Sequence, residues 1–232
     1  MTIITFNLQN DFFKQTIDKK TKLLAFIKEE NADIICFQEL TAKLKKYLEE
    51  SLENYALIGS SRYQTNSMID EYNSILVKKD IKILKTQTFP LYKKYRHAYF
   101  SLFPRICTYV KLEKNDQVIQ VYNTHLDHLF NFTRSKQLEI LKSKIENSPV
   151  PTVITGDFNM VKTNNVFKTF VKPELINTGE TLTKSTLKYI HQLPIDYILT
   201  TKNIECSNIQ IAKNVHLSDH YPLIAKVKIK SL

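Results

Sequence analysis

The sequence predicts a mixed α/β sandwich. Helical segments separate the strands in the first and third quarters of the chain, whereas strand-like runs follow one another directly in its middle. Successive strands joined without helices pair antiparallel, which disfavours an all-parallel sheet. The predicted strands are rich in β-branched and aromatic residues and comprise residues 3–8, 33–37, 55–58, 74–77, 81–88, 106–112, 118–124, 152–155, 195–199, 209–211 and 223–229.

Apolar residues at helical spacing predict helices at residues 15–30, 41–52, 132–145 and 166–170. In the first of these, Leu23, Leu24 and Ile27 fall on one face. A chain of 232 residues with 43% hydrophobic content can bury a full core. No linker, repeat or low-complexity tract divides it, so we expect one domain spanning residues 1–232.

Composition bounds the cellular setting and the partners. Neither a signal peptide nor a membrane span is visible, and Cys36, Cys107 and Cys206 lack the spacing of disulfide or zinc sites. We therefore expect a cytoplasmic monomer with no membrane partner. The net charge of +10 favours polyanions such as nucleic acid, although a bias toward lysine, asparagine and isoleucine gives the same charge without selection for binding.

Polar residues with catalytic chemistry stand where several apolar runs end. Loops at the edge of a sheet build sites on a rigid frame, so these residues are expected to meet there. A lone Asp-His pair is usually a surface pair or a core histidine, but several such segments together favour a site. The segments contain Asn7, Gln38-Glu39, His125, Gly156-Asp157-Phe158-Asn159 and Asp219-His220.

These residue types suit metal-assisted hydrolysis of a phosphate ester. Oxygen ligands without a cysteine or histidine cage indicate a hard ion, Mg²⁺ or Mn²⁺. Glu39 is the main candidate ligand, Asn7 adds a neutral oxygen, and Asp219 completes the protein's share.

A general base and its partner are also present. His220 is the candidate base, and Asp196, a carboxylate in an apolar strand, is the candidate that orients its ring. The alternative is that Asp196 caps a turn. Asp157 and Asn159 flank Phe158 and would share one face of an extended segment, placed to hold water and a phosphate oxygen. An ordinary Gly-Asp turn is the alternative there.

His125 is a second imidazole for the phosphoryl oxygens or the leaving group, with Glu71 as a candidate orienting partner. The neighbouring Asp127 and His128 leave open a metal site within this segment. Glycine is scarce in the chain, so Gly156, directly before Asp157, suggests a tight turn or a close approach of the backbone to a ligand.

With these segments in hand, the chain resembles the endonuclease/exonuclease/phosphatase superfamily, the DNase I-like metal-dependent phosphoesterases. The resemblance runs from Asn7 to His220 in the order that the family uses. It implies an α+β fold, a four-layer α/β/β/α sandwich of two packed mixed β-sheets with helices on the outer faces. It also implies that the active site lies at one edge of the sandwich.

The resemblance carries roles onto individual residues. Asn7 and Glu39 match metal ligands, Asp157 and Asn159 match residues that hold phosphate and water, and Asp219 matches a residue that supports metal or water. Asp196 matches the residue that orients the base His220. His125 matches the histidine of the deoxyribonuclease, deadenylase, sphingomyelinase and inositol-phosphatase branches, with Glu71 as its acidic partner. Apurinic-site endonucleases usually carry tyrosine there, which argues against a role in base excision.

Segments around Pro104-Arg105-Ile106-Cys107 and residues 123–128 are similar to a bacterial subgroup of the superfamily. There Arg105 is implied to be a phosphate clamp, and Arg134 either binds phosphate or braces the Asp-His loop. The chain departs from the subgroup by lacking tryptophan and by shortening the segment at residues 187–194. Substrate specificity is therefore not carried over.

The preferred function is a nuclease or other phosphodiesterase acting on DNA or RNA. Aromatic and basic residues alternate at residues 91–100, where they either stack nucleobases or pack beneath a loop. A small phosphate ester, such as a sugar phosphate, nucleotide or inositol phosphate, is the alternative substrate. A degenerate binding module is disfavoured because every expected catalytic position is filled.

Overall fold

The computed structural model describes residues 1–10, 17–63, 70–92, 101–146, 148–188 and 194–230. Within these residues, two six-stranded sheets are present, together with a two-stranded ribbon. Each six-stranded sheet contains one parallel pair among antiparallel neighbours, so both are mixed. No helix of the described chain is both long and apolar enough to cross a membrane.

The first sheet has the strand order β13-β14-β1-β2-β6-β4. Strands β1 and β2 run parallel, with Asn7 opposite Gln38 at their ends. The sheet is built from β1 (Thr2–Asn7), β2 (Ile34–Gln38), β4 (Tyr55–Ile58), β6 (Ile75–Lys78), β13 (Ile204–Ile211) and β14 (Leu223–Ile229), and the ribbon from β3 (Leu40–Thr41) and β5 (Glu71–Tyr72).

The second sheet has the order β11-β12-β10-β9-β8-β7. Its parallel pair is β9 with β10, which places Asp157 opposite both His125 and Asp196. Its strands are β7 (Lys82–Pro90), β8 (Ile106–Lys114), β9 (Gln117–His125), β10 (Thr152–Asp157), β11 (Leu175–Asn177) and β12 (Asp196–Thr201).

Alternation of side chains along the strands creates three apolar layers. In β1 and β2, Ile3 and Ile34 face the second sheet, whereas Ile4 and Ile35 pack beneath helices α1 (Ile17–Glu30) and α2 (Ala42–Ser51). Helices α3 (Asn131–Ile145) and α4 (Asn165–Val171) cover the outer face of the second sheet in the same way. The order of layers is therefore helices, sheet, sheet, helices.

This architecture confirms the predicted fold class. The predicted helices and strands that lie in the described residues are present, with ends shifted by a few residues. Three short strands, β3, β5 and β11, were not predicted because two or three residues show no periodicity.

A buried polar link joins the sheets just below the edge where β1, β2, β9 and β10 end. The side-chain amide of Gln38 donates to Asn123 Oδ1 (2.6 Å) and to Thr5 Oγ1 (3.0 Å). Asn123 Nδ2 in turn donates to the backbone carbonyls of Phe37 (2.8 Å) and Ser74 (3.0 Å). Because Asn123 of the second sheet exchanges three hydrogen bonds with Gln38, Phe37 and Ser74 of the first, the link fixes how the two strand ends face each other.

Candidate active site

A cavity of about 550 Å³ opens at the edge of the sandwich where these strands end. One side of it carries the residues that sequence chemistry singled out: Glu39, His125, Asp157, Asn159 and His220. The carboxyl ends of two parallel pairs, one from each sheet, supply most of them. The fold thus brings together residues that are up to 181 positions apart, from Glu39 to His220.

Asp196 and His220 form a buried pair. The carboxylate Oδ2 of Asp196 lies 2.8 Å from His220 Nδ1, and both residues are almost fully buried. Burial by itself lowers the pKa of His220, but the charges of Asp196, Asp157 and Asp219 outweigh it and raise that pKa to about 10. The contact leaves Nε2 of the imidazole facing the cavity and Asp157, 3.7 Å away. Asp196 therefore holds the ring, and does not act as a turn cap.

Asp157 stands at the centre of the charged groups. Its Oδ2 lies 3.5 Å from His125 Nε2 and accepts a hydrogen bond from Asn7 Nδ2 at 3.0 Å. Burial, reinforced by the nearby charge of Asp196, raises the pKa of Asp157 to about 7. A carboxylate in this position gains from any cation that balances its charge.

Glu39 is held by main-chain and side-chain donors. Asn7 Nδ2 donates to its Oε1 (3.1 Å), and the Asn10 backbone N–H donates to its Oε2 (2.6 Å). One amide nitrogen of Asn7 therefore contacts both Glu39 and Asp157. The backbone of Glu39 has φ 55°, a left-handed conformation that is uncommon for a residue with a side chain and recurs at functional sites.

His125 lies between the carboxylates of Glu39 and Asp157, with Nδ1 3.8 Å from Glu39 Oε1. Burial, together with the nearby cations Arg105 and His220, lowers its pKa well below the usual value. A neutral imidazole at this place can donate a hydrogen bond to a phosphoryl oxygen without adding charge.

Glu71 has different neighbours from those that the resemblance implied. Its carboxylate pairs with Arg62 Nη1 (2.7 Å) and accepts from Asn10 Nδ2 (2.6 Å). Among the described residues, the carboxylates near His125 are those of Glu39 and Asp157 instead. Within the described residues, Glu71 is thus connected to Glu39 through Asn10, and not to His125.

Asn159 and Asp219 occupy unequal positions. Asn159 lines the cavity, but its left-handed backbone (φ 50°) and the hydrogen bond from its N–H to Asp157 Oδ1 (2.8 Å) form a tight turn, not the extended segment expected. Phe158 is buried in the core as expected. Asp219 does not line the cavity, and its N–H donates to Gln9 Oε1 (3.2 Å).

Two arginines take different roles beside the site. Arg134 donates to the Asp127 carbonyl oxygen (2.9 Å) and to Asn131 Oδ1 (2.6 Å), so it braces the loop. Arg105 lines the cavity, is only 5% exposed, and has no carboxylate within ion-pair distance among the described residues. Its one side-chain hydrogen bond there goes to His128 Nδ1 (3.3 Å).

Asp127 shapes the loop after β9. Its carboxylate accepts from the N–H groups of Leu129 (2.8 Å) and Phe130 (3.0 Å) and lies 2.6 Å from the Ser101 hydroxyl. With its oxygens occupied, the open alternative of a separate metal site at residues 125–128 loses its carboxylate ligand. The alternating aromatic and basic stretch at residues 91–100 falls largely outside the described residues.

Sequence reasoning missed four residues of the cavity wall, Asn10, Arg62, Tyr63 and Phe103. Arg62 is one of only four arginines in the chain, but it stands in no recognisable motif. Asn10 stands only three residues after Asn7, the last residue of β1, so its position in the sequence could have indicated it. The pairing of Arg62 with Glu71 depends on the bridge between Ser61 and Tyr72 of β5, a strand too short to recognise in the sequence.

Residues 4–220 match the model of the Endonuclease/Exonuclease/phosphatase family. The chain belongs to the endonuclease/exonuclease/phosphatase family. It is therefore an enzyme, a hydrolase of phosphoester bonds. No curated protein matches it in sequence.

Solved structures of the family share the fold over nearly the whole chain. An endonuclease/exonuclease/phosphatase from Bacteroides vulgatus is 24% identical, with a TM-score of 0.87 over 99% of this chain and 98% of that one. The mannosyl-6-phosphatase of Bacteroides thetaiotaomicron is 19% identical, with a TM-score of 0.86 over 99% and 100%. D. rerio TDP2, complexed with a single-strand DNA product, is 15% identical, with a TM-score of 0.82 over 98% of each chain.

A divalent cation, on which the family generally depends, fits the donors present. Ligand atoms of Asp157, Asp196 and His220 lie within 4.8 Å of one another. Asp196 and Nδ1 of His220 already satisfy each other, so these two are better suited to proton transfer than to coordination. Glu39 and Asp157, held about one amide of Asn7, offer the oxygen-rich corner that a hard cation prefers.

Proposed function

We propose that this phosphoesterase is a Mg²⁺- or Mn²⁺-dependent nuclease that cleaves phosphodiester bonds of DNA or RNA by attack of water, with His220 as general base. The observation that carries the proposal is the buried Asp196–His220 pair, whose free Nε2 faces the cavity beside Asp157. This is the arrangement that lets an imidazole take a proton from water while a carboxylate stabilises the resulting charge.

Each residue would contribute one step. Glu39 and Asp157 would hold the metal, which polarises the phosphate when bound. Asn7 would bind it through Oδ1, which in the structure accepts from the Gln9 N–H at 2.9 Å. Asp219, which the sequence predicts as a further ligand, would act from outside the cavity wall. The carboxylates raise the pKa of His220 and so keep its imidazole protonated. A cation that balances their charge would lower this pKa and make the imidazole available as a base. Asn159 would position the water, and neutral His125 would donate to a phosphoryl oxygen. Glu71 would support Glu39 through Asn10.

Arg105 is proposed as the phosphate clamp. A buried guanidinium without a carboxylate partner is costly in free energy unless an anion reaches it. Because the cavity wall contains Arg105 together with Asp157 and His220, a phosphate there would lie between the guanidinium and the base. A guanidinium binds such a group through two parallel hydrogen bonds.

A small phosphate ester is the second candidate substrate. A cavity of about 550 Å³ lies within the range of small-molecule sites. One structural relative with full coverage is a mannosyl-6-phosphatase, and another was solved with single-strand DNA product. The fold serves both kinds of substrate, so an assay must decide.

The test uses labelled single-stranded and double-stranded oligonucleotides with Mg²⁺ or Mn²⁺, and a chelator as control. The protein is expected to cleave them only with metal, and His220→Ala to lose at least about a thousandfold in rate. His216→Ala is the matched control, because His216 is an exposed histidine outside the cavity.

The dependence of binding on salt concentration distinguishes the two candidate substrates. Binding of a strand should weaken steeply as salt rises, because bound counterions are released, whereas a small ester should respond weakly. If oligonucleotides stay intact while the folded protein hydrolyses sugar phosphates, the nuclease proposal is wrong and the phosphatase stands.

A further inference from the structure

Part of the cavity wall carries side chains to which the proposed hydrolysis gives no role. These are Arg62, Tyr63 and Phe103, which share the wall with the proposed phosphate clamp Arg105. We define Arg62, Tyr63 and Phe103 as the aromatic subsite. Neither Arg62 nor Phe103 can act as a base or as a ligand of a hard cation, so we look for their role in the part of the substrate beyond the phosphate.

Two partly exposed rings flank one guanidinium in this subsite. The central carbon of Arg62 lies 5.1 Å from the ring centroid of Tyr63 and 4.7 Å from that of Phe103. Tyr63 is 40% exposed and Phe103 39% exposed, unlike the buried aromatic residues of the core. Exposed ring surface inside a cavity is favourably covered by another flat apolar group.

The subsite is held in place before any ligand arrives. Glu71 pairs with Arg62 at 2.7 Å, and the Tyr63 N–H donates to Asp70 Oδ1 at 3.1 Å. Phe103 is anchored on the other loop, where the Ser101 hydroxyl lies 2.8 Å from the Phe103 carbonyl oxygen and 2.6 Å from Asp127 Oδ2. Backbone contacts at Tyr63 and Phe103 thus place the two rings beside Arg62 before a ligand binds, which reduces the conformational entropy lost on binding.

Charge distinguishes the aromatic subsite from the phosphate clamp Arg105. Glu71 neutralises Arg62, so the aromatic subsite adds no net charge for a second phosphate, whereas Arg105 has no carboxylate partner among the described residues. Exposed ring faces beside a neutralised guanidinium match a neutral flat ring, and a nucleobase is such a ring.

We propose that Tyr63 and Phe103, ordered by Arg62, stack a nucleobase next to the scissile phosphate, so that the substrate is a nucleotide unit. This inference rests on the proposed phosphoesterase function. It applies to a free nucleotide and to a nucleotide within a strand, because both present the same base and phosphate. It disfavours sugar phosphates and inositol phosphates, which have no flat ring.

Binding is measured first, in the His220→Ala background, so that the result does not depend on turnover. Calorimetry compares thymidine monophosphate with deoxyribose phosphate, which differ only in the base. Thymidine monophosphate is expected to bind at least about tenfold more tightly, and Phe103→Leu or Tyr63→Leu to remove that advantage while leaving deoxyribose phosphate unchanged. Leucine keeps apolar volume and removes only the ring.

Phe132→Leu is the matched control, since Phe132 is an exposed aromatic residue that does not line the cavity. It should leave both affinities unchanged. Equal binding of the two ligands by the parent protein, or an equal loss for both in Phe103→Leu, would overturn the subsite. Circular dichroism melting confirms that each variant is folded, and Tyr63→Leu tests the proposal independently of Phe103.

Turnover then shows whether the nucleobase belongs to a strand or to a free nucleotide. With catalytically intact protein, oligothymidylate is compared with the same strand carrying one abasic unit, and with free thymidine monophosphate. If the parent protein cleaves more slowly at the abasic unit, and if Phe103→Leu no longer shows this difference, the substrate is a strand. If hydrolysis of the free nucleotide depends on the nucleobase, the substrate is a small nucleotide. If base-dependent binding is found without any hydrolysis, the subsite stands and the proposed nuclease function fails.

Discussion

Asp196 illustrates how one buried residue determines the chemistry of another. A neutral imidazole has one nitrogen that donates and one that accepts, and the partner of Nδ1 decides which is which. Asp196 Oδ2 lies 2.8 Å from His220 Nδ1, so Nε2 is the nitrogen left to accept a proton. Removing the charge of Asp196 should therefore affect catalysis much more than folding.

Asp196→Asn is expected to lower kcat by about a thousandfold or more, because an amide favours the wrong tautomer of His220 and does not stabilise the imidazolium. The side chains have the same shape, and loss of the Asp196 charge also relieves its repulsion of Asp157. Steady-state kinetics and thermal melting check both parts. Retention of half the activity in the folded variant would show that Asp196 does not orient the base.

At this scale, sequence reasoning found the residues but not all their contacts. His125 and Asp157 end strands, Asp196 begins one, and His220 stands three residues before another, so the strand pattern predicted that they meet. The neighbours of Glu71 were not predictable, because they depend on Arg62 and Asn10 in irregular segments. Side-chain directions in loops follow from tertiary packing, which no local pattern encodes.

At the scale of elements, β10 owes its close pairing with β9 to a single glycine. Gly156 has φ 141°, and a Cβ there would lie 1.9 Å from the carbonyl oxygen of Thr124 on β9. The sequence suggested a tight turn or a close approach to a ligand. The close approach is instead to a neighbouring strand, one residue before Asp157.

Gly156→Ala is therefore expected to destabilise the protein by about 3 kcal/mol or more, through the strained φ and the clash with Thr124. Urea unfolding measures the change. Gly179→Ala is the control: a Cβ there meets only the tip of the Leu182 side chain at 3.0 Å, so the loss should stay within about 1 kcal/mol. Equal losses in the two variants would contradict this account of Gly156.

For the whole molecule, an ion pair joins the two sheets at the end opposite the cavity. Asp33 Oδ1 accepts from Lys114 Nζ at 2.6 Å, while Asp33 Oδ2 accepts from the Thr2 N–H at 2.7 Å. Burial alone would raise the pKa of Asp33, but Lys114 and the Thr2 N–H outweigh it and lower that pKa. The pair thus stabilises the folded state when Asp33 is ionised.

Asp33→Asn should lower the free energy of unfolding by about 1 kcal/mol at pH 7. Because the folded pKa is lowered, the contribution of Asp33 is fully present above its unfolded pKa of about 4 and is lost as pH falls through the folded value. The difference between parent and variant in urea unfolding should therefore shrink below about pH 4. Asp116→Asn, in an exposed turn, is the control and should change stability by less than about 0.5 kcal/mol at either pH.

The proposed active site draws on both sheets: Asn7 ends β1 and Glu39 follows β2 in the first, whereas His125, Asp157 and Asp196 lie in the second. Its width is therefore set by the thickness of the apolar layer between the sheets, in which residues such as Ile34, Val121 and Val153 touch no substrate. A change of one methyl group in that layer shifts two groups of catalytic residues relative to each other. Relatives with the same catalytic residues can thus differ in turnover because of their cores.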